Sequence, residues 1–547
     1  MYPGHRRFLL RQHPVRKRGK HFKGEADHRT KPPLPTGDVI YDMVKDLEVI
    51  FGKGPGGQSF PNDVDGRVPM WKKKSIFWEL PYWKLLQVRS AIDVMHVTKN
   101  VCVNLLGFLG VHGKTKDTPE SQQDQQRMKD PDNLHPMKTD KGRLSPASYA
   151  LTKEEKEIFF EVLSSMKVPS GFSSNIKGII NMAEKKFQNL KSHNCHVLMT
   201  QLLPVALRGL LPENVRLPIV QLCAFLNAIS QKVIDLAILP RLQKDVVQCL
   251  VSFELVFPPS FFNIMTHLLV HLVDEITILG PVFLHNMFPF ERFMGVLKKY
   301  VHNHARPEGS MSKGYGTEEV IEFCVDFIPQ SRHEGRLRGK GTLGKKATIC
   351  QDGHSFTRAH YTVLHNSSLV DPYIVEHMNI VRSKKPERTD DWIKGKHMET
   401  FGGWLQTHLI NNTTVGEQLY LLAKSPSSTM LTFQGYEING NTFYTIAQDK
   451  KSTNQNSGVR IDATNNNEQN DTYYGYIEEI WELDYGPSFK VPFFWCKWFN
   501  LTGGVQVDPQ YGMTTVDLKN LAYRRHGQSS SFNTMLGSVF TVKGGIS

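Results

Sequence analysis

The chain has no C-x-x-C pair. Its seven cysteines, Cys102, Cys195, Cys223, Cys249, Cys324, Cys350 and Cys496, are scattered and odd in number. That pattern suits a reducing compartment and supplies no complete zinc finger. No apolar core follows the basic start Met1-Tyr-Pro-Gly-His-Arg-Arg7, and every apolar run long enough to suggest a bilayer span, such as residues 261–283, is broken by charge or histidine. Neither a secretory leader nor a membrane segment is expected. The glycine-rich Lys53-Gly-Pro-Gly-Gly57 lacks the Gly-Lys-Ser/Thr of a phosphate loop and reads as a linker. No internal repeat is present.

What is there fits ordinary packed domains. With 547 residues, 40% of them hydrophobic, the chain can build two to four cores. The net charge of +13 is uneven: residues 1–31 hold ten Lys/Arg and two acids, so +8 lies there and +5 in the remainder. A solvated arm is the plain reading and a phosphate-binding arm the sharper one, with Arg6, Arg7, Arg16, Lys17 and Arg18 as contacts. A Gly/Arg/Lys loop at residues 330–346 adds Arg336, Arg338 and Lys340.

Periodicity divides the chain. Residues 1–112 pair the basic arm with a helix over residues 36–51 and an aromatic-rich packed stretch from Ser75 to Leu109. Residues 113–150 are a polar linker. Residues 151–330 form a helical domain whose segments are separated by Pro204, Pro212, Pro218, Pro240, Pro258-Pro259 and Pro281, and whose first helix opens with a capping box at Thr152-Lys-Glu-Glu155. Residues 331–429 are a basic loop and helical connector. Residues 430–525 alternate with period two and form a small, mostly antiparallel β domain, with residues 449–471 as an Asn/Gln-rich spacer. Residues 526–547 are a divergent tail. The fold class is α+β, multidomain.

Three constellations carry candidate chemistry. His267 and His271 stand four apart on a helix, so both imidazoles project from one face and could share a metal ion. Zinc peptidases of this spacing need Glu directly after the first histidine; Leu268 stands there. From spacing alone, two core or surface histidines are the commoner reading. Glu291 lies twenty residues beyond His271 (291 − 271), in the first turn of a helix beginning near Pro289, where a carboxylate is stabilised and could ligate magnesium. Asp93 and His96, three apart, could line one site or let the acid orient the imidazole.

The long motifs Leu80-Pro-Tyr-Trp-Lys-Leu-Leu-Gln-Val-Arg-Ser-Ala-Ile-Asp-Val-Met-His-Val-Thr-Lys-Asn-Val-Cys102, Ser192-His-Asn-Cys-His-Val-Leu-Met199, Leu284-His-Asn-Met-Phe-Pro-Phe-Glu-Arg-Phe-Met-Gly-Val-Leu-Lys298 and Tyr473-Tyr-Gly-Tyr-Ile-Glu-Glu-Ile-Trp-Glu-Leu-Asp-Tyr485, with Gly4-His-Arg-Arg-Phe-Leu9, strongly resemble plant CACTA (En/Spm-like) transposases over most of the chain. The resemblance implies an RNase H-like DDE core interrupted by a helical insertion, then two transposon-associated domains of unknown function. It implies Mg²⁺-dependent DNA cleavage and strand transfer with three carboxylates holding two ions. By resemblance to the superfamily that includes the V(D)J recombinase, Glu291 is the third acid, and His267 and His271 are the histidine half of a Zn²⁺ site whose other half is a C-x-x-C. Asp93 and His96 match a D-x-x-H element near the site.

In the family the first two aspartates and the C-x-x-C precede Gly4-His-Arg-Arg, so the chain is expected to be an N-terminally truncated remnant, nuclear, binding DNA but performing no cleavage. The alternatives are a non-enzymatic protein-interaction or DNA-binding module derived from a transposon, and a subunit completed in trans by an intact transposase.

Overall fold

The computed structural model describes residues 4–17, 29–47, 74–121, 147–171, 176–327, 342–349, 353–410, 415–438, 440–464, 470–486, 489–508 and 514–522. The chain divides into two compact units, Met1–Met166 with Ser174–Tyr315, and Lys167–Ser173 with Gly316–Ser547. Lys17 is described in its backbone alone, and Arg18, Arg336, Arg338 and Lys340 lie outside the described residues.

The first unit is helical. After α1 (Gly37–Val44), which realises the early part of the helix expected over residues 36–51, comes α2 (Val94–Phe108), whose N-terminus is capped by Asp93. The capping box at Thr152 forms as the spacing required: its side chain accepts from the Glu155 N–H while Glu155 accepts from the Thr152 N–H, opening α3 (Lys153–Ser165). The short α4 (Ser192–Val197) leads to α5 (Glu213–Ile229) and α6 (Leu239–Glu254). Pro218 does not separate two segments as the sequence suggested, for it lies buried inside α5. Tertiary packing on both sides outweighs the one hydrogen bond the proline removes, and the Cys249 thiol on α6 donates to its carbonyl at 3.2 Å.

Asn263 caps α7 (Ile264–Leu268), and α8 (Leu272–Leu279) follows one turn later. Gly280 ends α8 at φ 85°, a left-handed conformation that favours glycine. Then come α9 (Phe288–Tyr300), with Pro289 in its first turn, and α10 (Pro307–Phe327), which runs through the division at 315. The core is aromatic: Phe108 of α2 meets Tyr149, Phe257 and Phe261 at 5.5–5.7 Å, and Phe257 stacks on Phe261 at 4.4 Å. No single helix among the described residues is long and apolar enough to cross a membrane. The bent pair Ile264–Leu279 and Val282–Tyr300 meets that test only jointly, and its first half contributes Leu269, Val270, Leu272 and Val273 to the core.

The second unit layers helices on an antiparallel sheet. Helices α11 (Gly353–His365), α12 (Asp371–Lys384), α13 (Asp390–Leu409) and α14 (Glu417–Ala423) accompany strands β1 (Lys346–Ile349), β2 (Thr429–Phe433), β3 (Gly435–Ile438), β4 (Asn441–Tyr444), β5 (Gly458–Thr464), β6 (Asn470–Asp484) and β7 (Lys490–Trp498). The main sheet runs β7-β6-β2-β1, with β5 also on β6; β3 and β4 pair with each other, and β3 with Thr342–Leu343. The architecture is α+β, but two details differ from the sequence reading. The spacer of residues 449–471 contains β5, registered from Gly458 opposite Tyr476 to Thr464 opposite Asn470. The connector joins the sheet through β1, and its helices share a core with it: Phe401 and Leu405 of α13 cluster with Trp481, Leu483 and Phe493. Alternation could not report either strand, because β5 is short and polar and β1 follows a Gly/Lys run.

Candidate functional site

The clearest concentration of polar groups in the first unit lies where the N-terminal segment meets α6 and α7. His267 and His271 approach through their Nε2 atoms at 3.2 Å, rings nearly perpendicular. Burial lowers both imidazoles, His267 to about 4, so both are neutral at pH 7. Two ligands of a tetrahedral zinc, at the usual Zn–N length, stand about 3.3 Å apart; the observed separation fits. Among the described residues no group of three or more His, Cys, Asp or Glu converges as a metal site.

The segment Gly4–Phe8 closes over this pair. A Cβ on Gly4 would lie 2.6 Å from the His267 ring, so glycine is what permits the approach. Phe8 meets His271 edge-on at 5.4 Å, His5 stacks on Phe262 at 5.7 Å, and half-buried Arg7 is near enough to contribute to the lowering of His267. Arg6 donates through Nε and Nη2 to Glu254, at 2.9 and 2.7 Å, and His5 Nε2 lies 2.6 Å from the same carboxylate. All three side chains are at most 4% exposed. Burial raises the Glu254 carboxyl, but the contacts from His5 and Arg6 outweigh it and hold the group below its ordinary value. Arg16 is also buried, donating to the carbonyls of Leu9 and Arg29 at 2.8 and 2.5 Å. Arg6 and Arg16 thus tie the segment to the protein and do not present their guanidinium groups to solvent. The sequence offered no signal for this: Glu254 is 248 residues from Arg6.

Asp93 spends its carboxylate on the backbone N–H of His96, at 3.0 Å, as the cap of α2. The His96 ring is exposed. A carboxylate the sequence did not single out, Glu275 of α8, accepts from the neighbouring Ile92 N–H at 2.9 Å; burial raises its pKa. Glu291 lies in the first turn of α9, as its position after Pro289 implied, and is exposed.

The motifs around these residues meet in one unit. Cys102, at the end of the first long motif, and Cys195, within the second, share a thiol–thiol hydrogen bond; burial pushes Cys102 up, while the bond from Cys102 lowers Cys195. Phe288, in the third, packs edge-on against His193 and His196 of the second, each at 6.0 Å. Chain segments about ninety residues apart thus meet in the first unit, the first motif touching the second and the second touching the helix that carries Glu291.

A half-buried histidine pair in an α-helical unit does not by itself define a class of protein. The domain of unknown function DUF4218 matches residues 229–338. That domain is found in transposon-derived plant proteins, and the match encloses His267, His271 and Glu291. No curated protein and no solved structure matches the chain.

Proposed function

We propose that this is a CACTA-type, transposon-derived nuclear protein that binds duplex DNA, and that its described residues form the zinc-and-acid corner of an RNase H-like transposase core without completing the catalytic centre. The observation that carries this reading is that three transposase-like motifs pack against one another in the unit that also holds His267, His271 and Glu291, these three residues lying within the DUF4218 match. His267 and His271 would give a zinc ion two of its four ligands, the other two coming from outside the described residues. Magnesium has weaker support: Glu291 is exposed and no other carboxylate converges on it among the described residues, so no cleavage step is assigned.

DNA affinity is assigned to Arg7, Lys17, Arg18, Arg336, Arg338 and Lys340, because Arg6 and Arg16 already have protein acceptors. Duplex binding by the full chain should weaken steeply with salt as phosphate contacts release counterions. Supercoiled DNA should stay intact with magnesium, with wild type and with Glu291→Gln alike. Salt-insensitive binding, or nicking that Glu291→Gln removes, would overturn the proposal. The second reading, a protein-interaction module, is favoured by one observation, the uncovered apolar face of α9.

A further inference from the structure

Helix α9 carries its apolar seam on the outside. Phe290, Phe293, Met294 and Leu297 recur at i, i+3, i+4 and i+7, the spacing by which a helix buries one face. Yet Phe290 is 61%, Phe293 49% and Met294 61% exposed, and no residue of the helix is buried. The protein holds α9 by its back and by its C-terminal end. Phe288, roughly half a turn around the helix from the seam, packs on His193 and His196, and Tyr300, one heptad beyond Phe293, closes the seam's C-terminal end against Gly314, where a Cβ would come within 2.5 Å of the ring. The three exposed side chains offer roughly 300 Å² of contiguous apolar surface, in the range that marks an interaction site on a monomer.

The charges beside the seam define what fits it. Glu291 stands in the first turn and Lys298 in the last, seven residues apart and therefore on the same flank. We propose that this face pairs with the same face of a second copy of the chain, the two helices antiparallel about a two-fold axis. That arrangement buries seam on seam, sets Glu291 of each copy beside Lys298 of the other, and opposes the two helix dipoles. A parallel pairing loses both charge contacts. The area is below that of a standard interface, so the dimer is reversible and forms with rising concentration. The pairing requires neither zinc nor DNA and stands apart from the function proposed above.

The test is sedimentation of the full chain in EDTA without DNA, across the micromolar range. The mass should rise with concentration from 62.4 kDa towards twice that value. Glu291→Lys and Lys298→Glu should each weaken the dimer by about tenfold or more, and the double exchange should restore it, since each cross-pair is again of opposite sign. Phe290→Glu with Met294→Glu should leave a monomer with unchanged helical circular dichroism. These substitutions are on exposed positions, so folding is not at stake. A wild-type monomer at every concentration, single charge variants without effect, a double exchange no better than either single, or a dimer that survives Phe290→Glu with Met294→Glu would each overturn the proposal.

Discussion

Glu254 shows how one side chain can organise a segment hundreds of residues away. A buried carboxylate costs several kcal/mol in lost hydration, offset only when charged donors surround it. Here Arg6 supplies a two-pronged contact and His5 a third, both from the N-terminal segment. Arg6→Ala therefore leaves Glu254 buried with one neighbour, and about 3–5 kcal/mol of stability should be lost in denaturant unfolding. The same variant should retain the salt dependence of DNA binding, because its guanidinium is not offered to phosphate. A fall of less than about 1 kcal/mol would show that the carboxylate finds water or another donor. Acid should weaken this contact too. A carboxyl held below its unfolded pKa contributes stability that is present above the unfolded value and is lost as pH falls through the folded one.

Elements obey local rules where the signal is local. The Thr152 box, the proline in the first turn of α9 and the period-two runs of β2, β6 and β7 were legible because each depends on residues a few positions apart. Pro218 misled for the opposite reason: helix propensity is a weak prior, and a buried helix packed on both sides overrides it. The helices α11, α12 and α13 hold a feature no periodicity announced. His365 Nε2 lies 3.1 Å from His397 Nε2, and His397 Nδ1 lies 2.7 Å from His377 Nδ1, whose Nε2 reaches Thr400 Oγ1 at 3.4 Å. With one proton per ring the chain is satisfied from end to end, His365 donating to His397, His397 to His377, and His377 to Thr400.

Burial lowers all three imidazoles, His397 to about 3, with the neighbouring histidines adding to the effect there; Asp371 near His365 opposes it and Lys384 near His377 reinforces it. Their folded values lie below the unfolded one, so this stability is complete above about pH 6.5 and declines as pH falls below it. The melting temperature of the α+β unit should drop between about pH 7.5 and about pH 5.5, and His397→Phe should flatten that dependence. Equal pH slopes in the two proteins would sink the idea.

At the scale of the whole molecule, charge decides more than fold. Ten Lys/Arg in the first 31 residues left open a solvated arm or a phosphate-binding one. Arg6 and Arg16 are instead internal, which shifts the expected DNA contacts to Arg7, Lys17, Arg18 and the 336–340 loop. Replacing Arg336, Arg338 and Lys340 together by Ala should lower the slope of log affinity against log salt by roughly three, about one per phosphate contact. A slope unchanged in that variant and reduced in Arg6→Ala would reverse the assignment.

Composition and spacing alone were enough for the α+β class, for most of the long helices and strands, and for the placement of His267 and His271 one turn apart and of Glu291 at a helix start. These features arise from neighbours in the chain, and so they are written in short windows of it. Which arginines are buried, that Asp93 serves a helix cap, that β1 and β5 enter the sheet, and that the apolar seam of α9 faces outward were decided only by tertiary structure. Each depends on a partner tens to hundreds of residues away, or on a packing surface the seam does not find, and no local pattern carries that information.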